Sequence, residues 1–187
     1  MGAVPQAWRS ACHISCGPGA HRARLTTSSI SRSMASNSPK GALGGKRQRS
    51  VRFPAASAGP PYTLDKSDTL YLLTQDITAA GTAILVTGSN VTLELDGHRV
   101  TFGSTSSAQV FGVHVQGGKT VVRNGHVVQG DAAGDYSSCV ETRWRSAPVE
   151  VLGITTEVHR PNGYPLRLFG SAQDASIHHN HLFSTVT

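Results

Sequence analysis

Four segments of the chain resemble one another and recur at nearly constant spacing. They are residues 90–102 (NVTLELDGHRVTF), 119–130 (KTVVRNGHVVQG), 149–158 (VEVLGITTEV) and 175–183 (ASIHHNHLF). A residue suited to a turn stands near the middle of each copy, at intervals of 28, 28 and 27 residues: Gly97, Gly125, Gly153 and Asn180. Because Gly and Asn adopt positive φ more readily than other residues, the spacing predicts one sharp bend between two short strands in every period.

Each copy is preceded by a further stretch typical of a strand. These stretches are residues 84–87, 112–116, 138–143 and 166–169. A period with three short strands and no helical pattern predicts an all-β parallel solenoid, in which coils stack about 4.8 Å apart. A β-sandwich also accommodates short alternating strands, but it does not account for the return of the same turn chemistry at a fixed interval. We therefore predict a solenoid of about four coils over residues 62–187.

The first third of the chain has a different charge from the rest. Residues 1–64 contain nine Lys and Arg and no Asp or Glu, whereas residues 65–187 contain eight basic and eleven acidic residues. The net charge of +6 therefore originates in the N-terminal segment, and the mildly acidic remainder argues against nucleic-acid binding by a folded surface. No apolar run approaches the roughly 18 residues of a membrane-spanning helix, so we predict no membrane span.

Residues 1–61 are rich in Ser, Arg, Gly and Ala and show no sustained strand or helix period, so we predict that they are disordered. Several interpretations of this segment stay open. Its composition fits an organelle transit peptide, residues 46–49 (KRQR) fit a nucleic-acid or nuclear-import signal, and Met34 offers a second start. It lacks the apolar core of about 7 to 15 residues that a secretory signal needs.

Three of the segments resemble a known family. Residues 90–102, 120–130 (TVVRNGHVVQG) and 177–182 (IHHNHL) resemble the right-handed parallel β-helix repeats of the pectate-lyase-like superfamily. The resemblance implies coils stacked around a dry core, an N-terminal cap and, in the enzymes, a polysaccharide groove along one outer face. It also implies an extracellular setting, and calcium is the one cofactor that it suggests. The family includes lyases, glycoside hydrolases and epimerases as well as structural and adhesive proteins, so the fold does not fix the chemistry.

Alternation within the preceding strands predicts a column of polar side chains on the outer face. The residues that this alternation directs outward are His114, Glu141, Arg143 and Arg167. Because the first, second and fourth of them are spaced by 27 and 26 residues, stacked coils place them in one exposed column. A base, an acid and a cation so arranged suit an acidic sugar chain, since lyase chemistry needs a neutralised uronate and a base for the C5 proton. A solvated ladder of polar side chains is the structural alternative.

Two other clusters of polar residues are candidate binding sites. Asp131 and Asp135 share the loop GDAAGDY and are candidates to bind substrate, although loops rich in Gly and Asp often only turn the chain. The three histidines within residues 178–181 (HHNH) resemble a metal cluster, but neighbours in a strand alternate faces and cannot converge on one ion without a turn. We therefore predict no metal site. The family resemblance implies instead that Asn180 stabilises its turn by stacking with its counterparts in other coils.

Two hypotheses about function follow, and whether the chain is an enzyme stays open. The first is a carbohydrate-active module that resembles polysaccharide lyases or glycoside hydrolases. The second is a non-catalytic β-helix, either a scaffold or a polysaccharide-binding surface protein. Only four copies of the repeat are present and no polar cap follows the last one, so we expect a truncated solenoid that self-associates through its uncapped final coil.

Overall fold

The computed structural model describes residues 48–55, 58–143, 148–169 and 174–185. Within these ranges the chain forms fourteen β-strands and no helix, which confirms the all-β prediction. In chain order the strands are β1 (Arg49–Phe53), β2 (Tyr62–Leu64), β3 (Thr69–Leu73), β4 (Ile77–Thr78), β5 (Ile84–Val86), β6 (Val91–Glu94), β7 (Arg99–Phe102), β8 (Phe111–Val115), β9 (Thr120–Gln129), β10 (Ser138–Thr142), β11 (Val149–Val158), β12 (Tyr164–Leu168), β13 (Ser176–His178) and β14 (His181–Ser184).

All of these strands pair in parallel, and they form two sheets. The larger sheet has the order β1-β3-β6-β9-β11-β13, with β4 and β7 joined beside β9 and β14 beside β11. The smaller sheet has the order β2-β5-β8-β10-β12. Because the chain alternates between the sheets, each strand pairs with the equivalent strand one coil later. The molecule is therefore a parallel β-solenoid of about four turns, as the repeat predicted.

The register between coils is less uniform than the spacing of the turn residues. Glu94 pairs with Arg123, an advance of 29 residues, whereas Asn180 lies 26 residues beyond Ile154 at the same level of the next coil. Coils of unequal length stay in register because the extra residues are taken up in the corners and loops, where no ladder of hydrogen bonds fixes the count.

The left-handed corner residues coincide with the predicted turn residues in only two of four places. Gly97 and Gly153 have φ values of 80° and 61°. In the other two corners the left-handed residue comes one position earlier, at Asn124 (φ 58°) and His179 (φ 56°). Asn adopts this region at low cost because its short polar side chain bonds locally, so the bend is displaced by one residue from the aligned position.

Gly125 and Asn180 contribute to their corners in other ways. A Cβ at residue 125 would lie 2.3 Å from Leu95 Cβ, so the close approach of two coils requires glycine there. The Asn180 side chain bonds the preceding coil, where its Oδ1 accepts from Ile154 N at 2.8 Å and its Nδ2 donates to Val151 O at 2.9 Å. The corner at Asn180 is thus held by hydrogen bonds to main-chain groups of the preceding coil.

The core consists of inward columns of apolar side chains that stack from coil to coil. One column comprises Tyr71, Leu93, Val122 and Val151, and another comprises Ile84, Val113 and Val140. Fully burying a side chain of this kind is worth roughly 1.5–3 kcal/mol, so the stacked columns supply the main driving force for the solenoid. Parallel stacking also explains the period, because only a repeated pattern keeps every coil apolar on the inside.

The solenoid begins earlier than residue 62. Strand β1 lies within residues 1–61, the segment predicted to be disordered, yet it pairs in register with β3. The cause is a short alternation in which Val51 and Phe53 take inward positions, and Phe53 is buried against Tyr62 and Tyr71. Of the segment predicted to be disordered, residues 1–47 and 56–57 lie outside the described residues. In the part of the chain that is described, no helix is long and apolar enough to cross a membrane.

Candidate functional site

Nine side chains form three rows on the outer face of the smaller sheet, across β8, β10, β12 and the residues that follow them. The rows are Phe111, His114 and Gln116; Ser138, Glu141 and Arg143; and Tyr164, Arg167 and Phe169. The central residue of each row pairs in register with the next, so that His114, Glu141 and Arg167 lie side by side on adjacent coils.

The first two outward residues of a row are three positions apart because two residues between them face the core. At Gly112 an added Cβ would lie 2.3 Å from Val127 Cγ1, and the next residue, Val113, is fully buried. Cys139 and Val140 are buried in the same way one coil later. Simple strand alternation therefore breaks at this point, and it brings a further side chain of each coil onto the outer face.

The central column is a connected network. Glu141 Oε2 lies 3.6 Å from Arg167 Nη1, and it accepts a hydrogen bond from Ser138 Oγ at 3.3 Å. Its other oxygen, Oε1, lies 3.9 Å from His114 Nε2. Arg143 Nε donates to that same His114 nitrogen at 3.1 Å. One carboxylate, one imidazole and two guanidinium groups thus form a single cluster.

Two members of the column are buried, which corrects the expectation of an exposed column. His114 is 5% exposed and Glu141 is 2% exposed, although both point away from the core. The Phe111 ring covers His114, with ring centroids 4.4 Å apart, and the arginines of the network cover the carboxylate. Stacked coils bring neighbouring outer side chains close together, so a polar column covers itself.

This burial shifts both titrating groups away from their charged forms. Removal of water, together with the nearby charge of Arg143, lowers the pKa of His114 to about 4. Because Arg143 donates to Nε2, that nitrogen carries no proton and the ring is neutral. Burial raises the pKa of Glu141, against the opposing effects of the Arg167 charge, the Ser138 hydrogen bond and the Arg143 charge.

A cleft of about 240 Å³ opens beside this network, and we call it the Glu141 cleft. Its lining consists of Gln109, Glu141, Arg143, Arg167 and Phe169. The guanidinium group of Arg167 is held in place on several sides. It stacks over the ring of Phe169, 4.1 Å from the centroid, and its Nη1 donates to the main-chain oxygen of residue 136 at 3.1 Å. Gln109 Nε2 donates to that same oxygen at 3.0 Å.

The arrangement is suited to binding an anion. Two guanidinium groups share the cleft with one carboxylate, and the imidazole beside them is neutral, so the described lining carries an excess of positive charge. Guanidinium groups form paired, charge-assisted hydrogen bonds with carboxylates, and a pre-positioned Arg167 loses little side-chain freedom when it binds one. Glu141 adds a titratable group whose pKa is raised at the floor of the same cleft.

The two carboxylates that the sequence singles out, and one buried thiol, lie outside the Glu141 cleft. Asp131 and Asp135 are exposed in the loop between β9 and β10, outside the lining of the Glu141 cleft. Cys139 is buried, and burial raises the pKa of its thiol to about 12, which fits the chemistry of a small core residue. Within the described ranges, no group of three or more His, Cys, Asp and Glu side chains is arranged to hold a metal ion.

Three residues at the site were not anticipated from the sequence. Ser138 and Phe169 both lie within predicted strands, but simple alternation gives no reason to place residue 138 beside Glu141. Gln109 precedes β8 in a loop, where no strand pattern applies. One signal was available for Phe169, because it follows Arg167 by two residues as Arg143 follows Glu141.

In comparisons with known protein families, with curated proteins and with solved structures, no match to this chain was found. The resemblance to the pectate-lyase-like superfamily therefore rests on the sequence motifs, and the structure adds to it a parallel β-solenoid of about four turns.

Proposed function

We propose that the solenoid recognises an acidic polysaccharide and that the Glu141 cleft receives one of its uronate residues. The observation that carries the proposal is the pair of guanidinium groups, Arg143 and Arg167, in one open cleft on the outer face of a parallel sheet. A uronate carboxylate is a planar anion that guanidinium groups bind in a paired manner.

The size and position of the cleft support a polymer rather than a small free ligand. Its volume of about 240 Å³ is below the roughly 300–1,000 Å³ of pockets that enclose a whole drug-sized molecule. A polymer lying across the coils needs only one residue in the cleft, with the neighbouring residues along the sheet face. Phe169, in the lining of the cleft, offers an apolar ring to a sugar.

A binding experiment tests this proposal. Polygalacturonate and its methyl ester have the same backbone and differ in charge, so they form a matched pair of probes. We expect the full chain to bind polygalacturonate, with affinity roughly tenfold lower for Arg167→Gln because a charge-assisted hydrogen bond is lost. Arg160→Gln is the control, since Arg160 is exposed in the turn between β11 and β12. Equal binding of the methyl ester, or equal losses in both variants, would contradict the proposal.

A second candidate function is cleavage of the same polymer by β-elimination. What favours it is the raised pKa of Glu141, which places a carboxyl group closer to the range of an acid–base catalyst. As a base, its carboxylate takes the C5 proton, the electron pair forms the C4–C5 double bond, and the oxygen at C4 leaves and is protonated by water. Arginine stabilises the negative charge that develops on the uronate. Hydrolysis by paired carboxylates has less support, because Glu141 is the single carboxylate among the described lining residues.

One variant distinguishes cleavage of the polymer from binding alone. Glu141→Gln keeps the shape of the side chain and removes its basicity, so it should abolish the release of unsaturated sugar ends while retaining affinity for polygalacturonate. Release of unsaturated ends at an unchanged rate would exclude Glu141 as the base. Binding without any release by the unaltered chain would leave recognition as the function.

A further inference from the structure

A second cluster of ionisable side chains lies on the larger sheet, at the corner between β13 and β14, and shares no residue with the lining of the Glu141 cleft. In the last described coil, His178 Nδ1 and His179 Nδ1 are 2.9 Å apart. The other nitrogen of His178, Nε2, lies 3.2 Å from Glu150 Oε1 on the preceding coil. Sequence neighbours converge here because His179 has a left-handed backbone, with φ of 56°. The chain thus contains the turn that convergence of these neighbours requires.

For two neutral imidazole rings, these contacts define which nitrogens carry protons. A carboxylate only accepts, so His178 donates to Glu150 from Nε2 and presents a bare lone pair at Nδ1. His179 then donates its Nδ1 proton into that lone pair. The ring centroids are 5.1 Å apart, so the 2.9 Å between the nitrogens makes up most of that separation and the rings meet almost nitrogen to nitrogen. The two Nδ1 atoms therefore face each other along nearly one line.

We propose that His178 and His179 form a two-coordinate site for a monovalent, closed-shell metal ion such as Cu⁺, which takes the place of the proton between them. Two imidazoles that face each other along a line match the linear coordination that such ions accept, and imidazole is a good copper ligand. With nitrogen–metal bonds of about 2 Å, the nitrogens must separate to about 4 Å. Both rings are partly or fully exposed, so one ring can swing outward by the required distance of about 1 Å.

Metal binding leaves the number of protons on the two rings unchanged. Binding breaks the Nδ1–H bond of His179, and the proton moves through water to Nε2 of the same ring. His178 keeps its Nε2 proton on Glu150, so both rings stay neutral and both Nδ1 lone pairs bind the ion. The Glu150 carboxylate acts as an outer partner that fixes the ring of His178 and makes its Nδ1 a better donor to the metal.

The site differs from a structural zinc centre in the number of protein ligands, because it offers only two. Zinc takes four ligands in structural sites, and the described residues provide no such group of three or more. We therefore expect a linear, closed-shell ion to bind more tightly than Zn²⁺. Neither acid–base work at the Glu141 cleft nor polysaccharide recognition depends on this site.

The experiment uses Ag⁺, a redox-inert ion with the same preference for linear coordination. The protein is the full chain with Cys12→Ser and Cys16→Ser, so that these two thiols do not compete for the ion. The ¹⁵N spectrum of the ring nitrogens is recorded as Ag⁺ is added. We expect the Nδ1 signals of both His178 and His179 to shift together and to show coupling to silver, with one ion bound per pair. The mutual hydrogen bond should be lost at the same point.

Variants make the result decisive. His179→Asn retains a residue that tolerates positive φ and should abolish the coupled site, whereas Glu150→Gln should weaken it by about 10–100-fold. His181→Asn is the control, because that histidine is exposed on β14 of the same coil and stacks on Phe183 instead. Silver coupling to other histidines with none at this pair, or tighter binding of Zn²⁺ than of Ag⁺ at the pair, would overturn the proposal.

Discussion

Protonation of His114 should destabilise the protein as the pH falls from 6.5 to 4. The folded state holds this imidazole in a buried position beside Arg143, so its pKa is about 4, whereas the unfolded chain has the ordinary value of 6.5. As the pH falls, the unfolded state therefore binds the proton first. The stabilisation is fully present above pH 6.5 and is lost progressively towards pH 4.

The magnitude follows from the difference between the two pKa values. Each pH unit of that difference is worth about 1.4 kcal/mol, so the interval from 6.5 to about 4 corresponds to roughly 3 kcal/mol. Solvent in the neighbouring cleft screens the Arg143 charge, and we expect about 1–2 kcal/mol of unfolding free energy to be lost. Glu141 acts in the opposite direction, because burial raises its pKa and makes the folded state the better proton acceptor.

A double difference isolates the histidine. Unfolding free energies from urea titrations at pH 7 and pH 4 are compared for the unaltered chain and for His114→Gln, in which an amide oxygen still accepts from Arg143 and Glu141 is unchanged. The unaltered chain should lose about 1–2 kcal/mol more than the variant over this interval. His126→Gln is the control, since His126 is exposed on β9. If His114→Gln and the unaltered chain lose the same free energy, the reasoning from burial is wrong.

Three further predictions concern the corners and the core. Gly125→Ala should cost about 1–3 kcal/mol in chemical denaturation because the new methyl group overlaps Leu95, whereas Gly118→Ala, whose Cβ would lie 3.5 Å from its nearest neighbour, should cost less than 1 kcal/mol. Asn180→Ala should raise amide hydrogen exchange in the last two coils and cost about 1–2 kcal/mol, because two hydrogen bonds to the preceding coil are lost; unchanged exchange would contradict this. Cys139 should resist alkylation in native protein and react only in step with global unfolding, as judged by mass spectrometry of its peptide.

The repeat was sufficient to predict the fold and the alignment of one column, because both depend on a period. Stacked coils impose the same spacing on the turn residues and on the outward residues, so intervals of 27 and 26 correctly matched His114 to Glu141 and Glu141 to Arg167. The burial of the first two was not predictable in this way. It depends on contacts between coils and on the broken alternation at Cys139, neither of which a single strand's pattern contains.

The residue that takes the left-handed conformation in each corner was not predictable from the sequence either. Gly125 aligns with Gly153, but the backbone register pairs Gly125 with Ile154 and gives the left-handed position to Asn124. Gly and Asn are both suited to a bend, so where they stand side by side the sequence does not decide which of them turns. The short strand β1 was missed because a five-residue alternation is too brief to distinguish from its irregular surroundings.

A comparison of successive coils in the column that contains Glu141 indicates why charged residues occupy it. One coil before His114 the same position holds Leu85, and one coil earlier still it holds Thr63, so the solenoid accepts an apolar or neutral side chain at this place. Burying a carboxylate costs free energy that its pairing with arginine only partly returns, and an apolar residue of similar volume is often as stabilising or more so. Stability alone therefore does not explain Glu141 and Arg167. The cleft that they line gives a reason for them, since a site that binds an anion needs the guanidinium groups and the guanidinium groups need a counter-charge until the ligand arrives.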